Sequence, residues 1–154
     1  MFAADIMTAS PITTQPDATL NQALELMQEN HCHHLPVMSQ EDHLIGVITA
    51  EASHRILGWH YLHQQEGAES ANTPILVRHV MTAAPIIVEP EETATEVARL
   101  MLSHYLTALP VMRGETLVGI ITTSDLLIAF MDLSRQFLSA PPVNRIKKHA
   151  ISSF

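Results

Sequence analysis

The run Gly119-Ile120-Ile121-Thr122-Thr123-Ser124-Asp125 sets hydroxyls and a carboxylate where an apolar, strand-like stretch gives way to a helical one. A carboxylate so placed can accept hydrogen bonds from two neighbouring hydroxyls of a ligand. The Thr122 and Ser124 hydroxyls, beside the unpaired backbone N–H groups of a helix start, can hold a phosphate. Asp125 is a poor neighbour for phosphate, so the hydroxylated part of a ligand is its better partner. The same residue types also start helices for their own sake, because Ser, Thr and Asp satisfy first-turn N–H groups. The two roles are compatible in one set of residues.

A second cluster, His31-Cys32-His33-His34, carries zinc- or copper-type ligand chemistry. In an extended segment alternate side chains point to opposite faces, so His31 and His33 would share one side and Cys32 and His34 the other. No second cluster has recognisable ligand spacing, and ordinary strand-entry residues explain the run as well. A third group, Ile56, Trp59, His60 and His63, recurs at helical spacing. It either covers the core through Trp59 or presents an interface anchored by Trp and Tyr. No Ser-His-Asp arrangement, phosphate loop or close carboxylate pair occurs in a recognisable setting, so an enzyme is not expected.

The elements that must position these residues come in two copies. Asp5 to Thr49 and His79 to Thr122 align without a gap from Met-Thr to Leu-Pro-Val-Met, with a period of about 74 residues. Each copy opens with an apolar pair, Ile6-Met7 or Val80-Met81, and a Pro-punctuated segment, Thr8 to Ile12 or Thr82 to Ile86. That segment reads as a turn entering a short edge strand closed by Pro16 or Pro90.

Thr19 with Gln22, and Thr93 with Glu96, match the capping box. Leu20, Ala23, Leu24 and Met27, and in the second copy Ala94, Val97, Ala98 and Met101, make one apolar helical stripe. Leu35 to Met38 and Leu44 to Thr49 form a predicted hairpin, as do Leu109 to Met112 and Leu117 to Thr122. The methionines at 27, 38, 101 and 112 recur as core filler.

Closing helices are predicted from about Glu51 to Glu66, stopped by Gly67, and from about Ser124 to Ser139, stopped by Pro141-Pro142. Asn72-Thr73-Pro74 reads as an N-cap with Pro at the first position of a short helix, Ile75 to Val80. The order is β-α-β-β-α, twice: an α+β fold with repeat 1 at 3–66, a linker at 67–74, repeat 2 at 75–140 and a tail at 141–154. The basic part of that tail, Arg145 to His149, either docks on an acidic partner, reaches ligand phosphates, or is solvated.

The chain has 154 residues, 47% of them hydrophobic, which suits one domain or two small ones sharing a core. Its net charge of −8 argues against general nucleic-acid binding. No apolar run approaches the roughly 18 residues of a membrane helix, and the N-terminus lacks signal-peptide character. The single cysteine, Cys32, cannot form an internal disulfide. These features fit a cytoplasmic protein.

Tandem copies of Met-Thr, Pro, helix, Leu-Pro-Val and Gly-x-x-Thr-x-x-Asp resemble the cystathionine-β-synthase (CBS) domain pair, or Bateman module, over about residues 3 to 132. They are most similar to small bacterial proteins made of little more than one such pair. The resemblance implies two β-α-β-β-α units packed sheet to sheet with pseudo-twofold symmetry. Two clefts would lie between them, and a cleft would take an adenosine-type ligand such as AMP, ADP, ATP or S-adenosylmethionine. It also implies disc-like homodimers and no required cofactor.

By that resemblance each cleft is mixed. Asp125, Thr122 and Ser124 would work with Ser10, Ile12 and Thr13 from the other copy's opening segment, and with His33, His34 and Pro36 before and within Leu-Pro-Val. The other cleft would combine Thr49 with Ala84, Ile86, Thr107 and Ala108. It departs from the pattern, since Ala52 stands where the ribose-binding Asp belongs and Glu51 is one position early, about 100° around a helix. No nucleoside is expected there in the usual mode. Arg55, Arg78 and Arg113 are the candidate phosphate ligands. Nothing in the sequence makes them converge, so a nucleoside, a monophosphate or a sulfonium ligand is favoured over ATP.

Two further readings stand beside this sensor, whose output would pass to a separate effector protein. One is a constitutive scaffold with vestigial clefts. The other is a metal-responsive module built on His31 to His34.

Overall fold

Helix α1 (Ala3–Ile6) opens the chain, followed by β1 (Thr8–Ala9), α2 (Leu20–Glu29), β2 (His34–Met38), β3 (Leu44–Thr49) and α3 (Ala50–His63). The second copy continues with β4 (Thr82–Ala83), α4 (Ala94–His104), β5 (Ala108–Arg113), β6 (Thr116–Thr122) and α5 (Thr123–Ser139). The structure, a computed structural model, describes residues 1–63 and 73–139. The α+β class, with two three-stranded antiparallel sheets and helices, agrees with the sequence reading. Gly67 as a helix stop, the 67–72 linker, Asn72 as an N-cap and the basic tail lie outside the described residues.

The sheets are β1-β6-β5 and β2-β3-β4. Each hairpin therefore takes its third strand from the other repeat. Thr8 and Ala9 pair with Ile120 and Gly119, and Thr82 and Ala83 pair with Val47 and Gly46. The cores follow the same exchange. Ala3 is fully buried among Val97, Leu109 and Ile121 of the second repeat, and Val77 among Leu20, Leu35 and Ile48 of the first. Short edge strands of two residues cannot stand alone, so the exchange ties the repeats into one unit.

The helix stripes are buried as expected, through Leu20, Ala23 and Met27 in α2 and Val97 and Met101 in α4. The capping box is complete only at α2, where the Thr19 hydroxyl accepts from the Gln22 N–H and the Gln22 side chain accepts from the Thr19 N–H. At α4 the Thr93 hydroxyl accepts from the Glu96 N–H, but the Glu96 carboxylate turns to Arg99, whose Nε donates to it at 2.7 Å. A charge-assisted partner one turn away outcompetes a backbone N–H.

Three local expectations are corrected. The opening segments pair on both sides of their Pro-Ile, Thr8-Ala9 and Thr82-Ala83 with the other repeat's hairpin and Thr14 and Val88 with Val37 and Val111 of their own, because Pro11 and Pro85 cannot donate to a ladder and interrupt it. The turn α1 stands where only an apolar lead-in is expected, since it is held by the Asp5 carboxylate accepting the Phe2 N–H at 2.7 Å and not by an apolar stripe. No helix runs from Ile75 to Val80. Residue 76 instead bridges Thr19, and only Val77–His79 turns as a 3-10 helix. The backbone bonds Leu20 N–H to Ile75 O and Val77 N–H to Ala18 O hold this stretch extended against α2, overriding the local Pro signal.

Candidate functional site

The β6–α5 junction presents Thr122 as the residue before the helix and Asp125 in its first turn. The Thr122 N–H and hydroxyl both donate to Asp125 Oδ2, at 2.7 and 2.9 Å. The helix-start role is thus real, and it occupies one carboxylate oxygen. Oδ1 receives no hydrogen bond from the described residues, which leaves an acceptor for a ligand hydroxyl.

A cavity of about 310 Å3 opens at this junction. Asp125, Ser124 and Thr122 line it on one side, and Ile12, His33 and His34 on the other. The β1–β6 pairing brings these two groups together. Of the other sequence candidates, Ser10 sits at the strand exit with its N–H donating to Val118 O. Thr13 is exposed, and Pro36 is buried with its carbonyl accepting from the Thr14 N–H. None of these three lines the cavity. Thr8, Pro11, Asn30 and Ile120 do line it. They could have been found only from the strand exchange, which no local pattern announces.

Among the described residues the lining contains no Arg or Lys. Arg78 pairs with Asp17 and Arg113 with Glu91 at 3.2 Å, while Arg55 lines the other cleft. The three arginines do not converge.

His31 corrects the extended-segment reading of His31 to His34. Its φ of 52° is left-handed, and the Cys32 N–H donates to Met27 O, which closes α2 in a Schellman-type turn. Tyr105 does the same for α4, with φ 54° and the Leu106 N–H donating to Met101 O. Burial raises the Cys32 thiol above its ordinary value of 9.0, against a backbone hydrogen bond from His34, which disfavours the thiolate that binds metals. Among the described residues no group of three His, Cys, Asp or Glu side chains could hold a metal ion.

His34 stands between the two clefts and lines both. Its Nε2 meets the Thr107 hydroxyl of the other repeat at 2.8 Å. Burial, and then neighbouring His33, lower its pKa from 6.5, while Asp125 pulls the other way.

The second cleft has about 480 Å3, larger than the first. It is lined by Thr49, Ala52, Ala84, Ile86, Thr107 and Ala108 as the sequence paired them, and also by Glu51, Arg55 and Tyr105. Thr49 caps α3 by accepting the Ala52 N–H at 3.1 Å, but Ala52 returns nothing. On α3, Trp59 is 60% exposed and stacks on His63, ring centroids 4.3 Å apart. It does not cover the core.

A profile described as the CBS domain matches residues 3–52 and 77–132. The chain belongs to the CBS domain family. Among solved CBS-pair structures it resembles AcuB from Vibrio cholerae, at TM-score 0.74 and 26% identity, covering 90% of this chain and 97% of that one. It also resembles CBSX2 of Arabidopsis thaliana in complex with AMP, at TM-score 0.70 and 26% identity, covering 87% and 98%. An inosine-5'-monophosphate dehydrogenase from Methanocaldococcus jannaschii is 29% identical over 126 residues, 81% of this chain. The chain spans 23% of the length of that enzyme. Among the described residues no helix is long and apolar enough to cross a membrane.

Proposed function

We propose that this CBS pair is a regulatory sensor, not an enzyme. It takes an adenosine-type ligand in the Asp125 cleft and passes the signal to a separate effector protein in the cytoplasm. The observation that carries the reading is the carboxylate of Asp125, which lines the cavity with Ser124 and has one oxygen held by Thr122 and the other without a hydrogen bond from the described residues. AMP bound to the similar CBSX2 supports the ligand class. Among the described residues this lining holds no Arg or Lys, which favours adenosine, a monophosphate or a sulfonium compound over ATP. No cofactor is required for such a role. Ligand bridging the repeats shifts the population of closing-helix arrangements, which the effector reads.

The protein acts as a homodimer in this reading. Helix α5 exposes Leu127, Phe130, Met131, Phe137 and Leu138, and α3 exposes Trp59 and Leu62. Apolar surface of this extent calls for a partner, and a second copy supplies a matching one.

A thermal-shift screen of untagged protein against AMP, ADP, ATP, adenosine, S-adenosylmethionine and NAD tests the reading. Ligand at about 100 times its Kd stabilises by about 2.7 kcal/mol, roughly 5–10 °C for a chain of this size. A shift with one adenosine compound that is lost in Asp125→Ala supports the sensor. No shift with any of them, from protein free of co-purified nucleotide, favours the scaffold alternative that Ala52 already suggests for the other cleft.

A further inference from the structure

The Asp125 cleft sets one carboxylate among three imidazoles. Among the described residues Asp125 is the only acid side chain of the lining, and His31, His33 and His34 are the only groups in it that can become cations. His31 and His33 are exposed, so solvent screens any charge they carry. His34 differs. It is half-buried, and its Nε2 reaches across the repeat boundary to the Thr107 hydroxyl at 2.8 Å. A hydroxyl both donates and accepts, so it donates to a bare Nε2 and accepts from a protonated one. The tether therefore holds in either state. A change of protonation then appears as a change of charge at a fixed place, not as a movement of the ring.

The surroundings decide what that charge does. On the Asp125 side the acid draws the proton on, while burial and His33 oppose it. Cys32 adds no charge, because burial keeps its thiol protonated. On the other side, where His34 also lines the cleft at Ala52, it shares the wall with Glu51, Arg55, His104 and Tyr105. Glu51 and Arg55 are 3.7 Å apart, so their opposite charges largely cancel at a distance. The aligned position of the second repeat is Ala108, so the imidazole comes from one repeat only.

We propose that His34 is the specificity-determining residue of the Asp125 cleft, its proton deciding whether the ligand carries a negative group. With the ring neutral, Asp125 stands unopposed and the cleft takes an uncharged or sulfonium adenosine compound. With the ring protonated, its charge offsets the carboxylate and the cleft also admits one anionic group. This rests on the adenosine reading of the cleft, and it chooses among the ligand kinds that reading allows. The sensor then answers to pH as well as to ligand.

Isothermal titration of the full chain with adenosine and with adenosine 5'-sulfate, between pH 7.5 and 5, tests the assignment. The first probe is neutral and the second carries one fixed negative charge over that range, whereas a phosphate itself titrates near about pH 6. Affinity for the sulfate relative to adenosine should rise about tenfold on acidification, and the rise should develop below the ordinary histidine value of about 6.5. His34→Gln keeps a hydrogen-bonding side chain toward Thr107 and should lose most of that pH dependence. The double variant His31→Asn and His33→Gln should retain it; Asn suits the left-handed backbone at position 31. A ratio that does not change with pH in the unsubstituted protein overturns the proposal and leaves the adenosine reading standing, with no variant needed. A ratio that still changes in His34→Gln, or no longer changes in the double variant, also overturns it by moving the switch to the exposed histidines. Failure of both probes to bind at every pH removes the adenosine reading itself, and this proposal with it.

Discussion

Met7 of the first repeat lies so closely over Gly119 of the second that a Cβ at position 119 would overlap its thioether. The mirror contact is Met81 over Gly46, where a Cβ would lie 2.7 Å from Met81 Sδ and 3.0 Å from the Thr82 carbonyl oxygen. The two most repeated features of the sequence, Met-Thr and Gly-x-x-Thr, are thus two sides of one packing contact that seats each opening strand on the other repeat's sheet. The glycine is required for this approach, quite apart from any ligand. Gly119→Ala should destabilise by about 1–3 kcal/mol through overpacking, lowering Tm by roughly 2–10 °C in a thermal melt. Met7→Ala added to it should recover part of that loss. Simple additivity of the two substitutions would show that they do not share the contact.

Thr122 and Asp125 form a reciprocal cap at α5, while at α3 Thr49 caps alone because Ala52 has no acceptor. Ala52→Asp should complete the α3 cap and stabilise by about 0.5–1 kcal/mol. Asp125→Ala should cost about 1 kcal/mol by the same account. Urea denaturation reads both. If Ala52→Asp is neutral or destabilising, the two junctions are not equivalent.

How far such features could be read beforehand depends on whether their cause is local. The stripe Leu20, Ala23 and Met27 and the Leu-Pro-Val hairpins are set by periodicity, and they emerge where the sequence puts them. Glu96 was indistinguishable from a capping residue until Arg99 competed for it. Residues 75 to 80 carry a Pro helix signal that tertiary pairing with Thr19 cancels. Six candidates of the Asp125 cleft do meet at one cavity, whereas Ser10, Thr13 and Pro36 do not line it, because main-chain hydrogen bonds and burial at strand ends are not visible in residue type. Tyr105 belongs to no motif or periodic stripe. Its only signal was its alignment with His31, and both signify the same left-handed helix end.

His34 should make stability depend on pH. Its folded-state pKa lies below the ordinary 6.5, chiefly through burial, so on acidification the unfolded chain takes up the proton first. The contribution is full above about pH 6.5 and is lost as pH falls from there toward the folded-state value. Denaturation midpoints measured from pH 7.5 to 5 should therefore decline, and less steeply in His34→Gln, which keeps a hydrogen-bonding side chain toward Thr107. Superimposable pH profiles for the two proteins would remove His34 as a cause.

Leu127, Phe130, Met131, Phe137 and Leu138 lie at three-, four- and seven-residue spacings along one side of α5, and none contributes to the buried core. A helix presenting such a stripe to water is the exception in a monomer. The opposite arrangement holds on α2 and α4, whose stripes are buried. Replacing Phe130 and Phe137 together by Ser removes the two largest members without touching either cleft. Sedimentation velocity should show the unsubstituted protein as a dimer and the double variant as a folded monomer with an unchanged circular dichroism spectrum. Folding stability should not fall beyond what subunit dissociation accounts for, since both side chains are already exposed within one chain. A double variant that stays dimeric would move the interface off α5. An unsubstituted protein that sediments as a monomer would leave the stripe to the effector, and the same variant would then be the reagent for abolishing that contact.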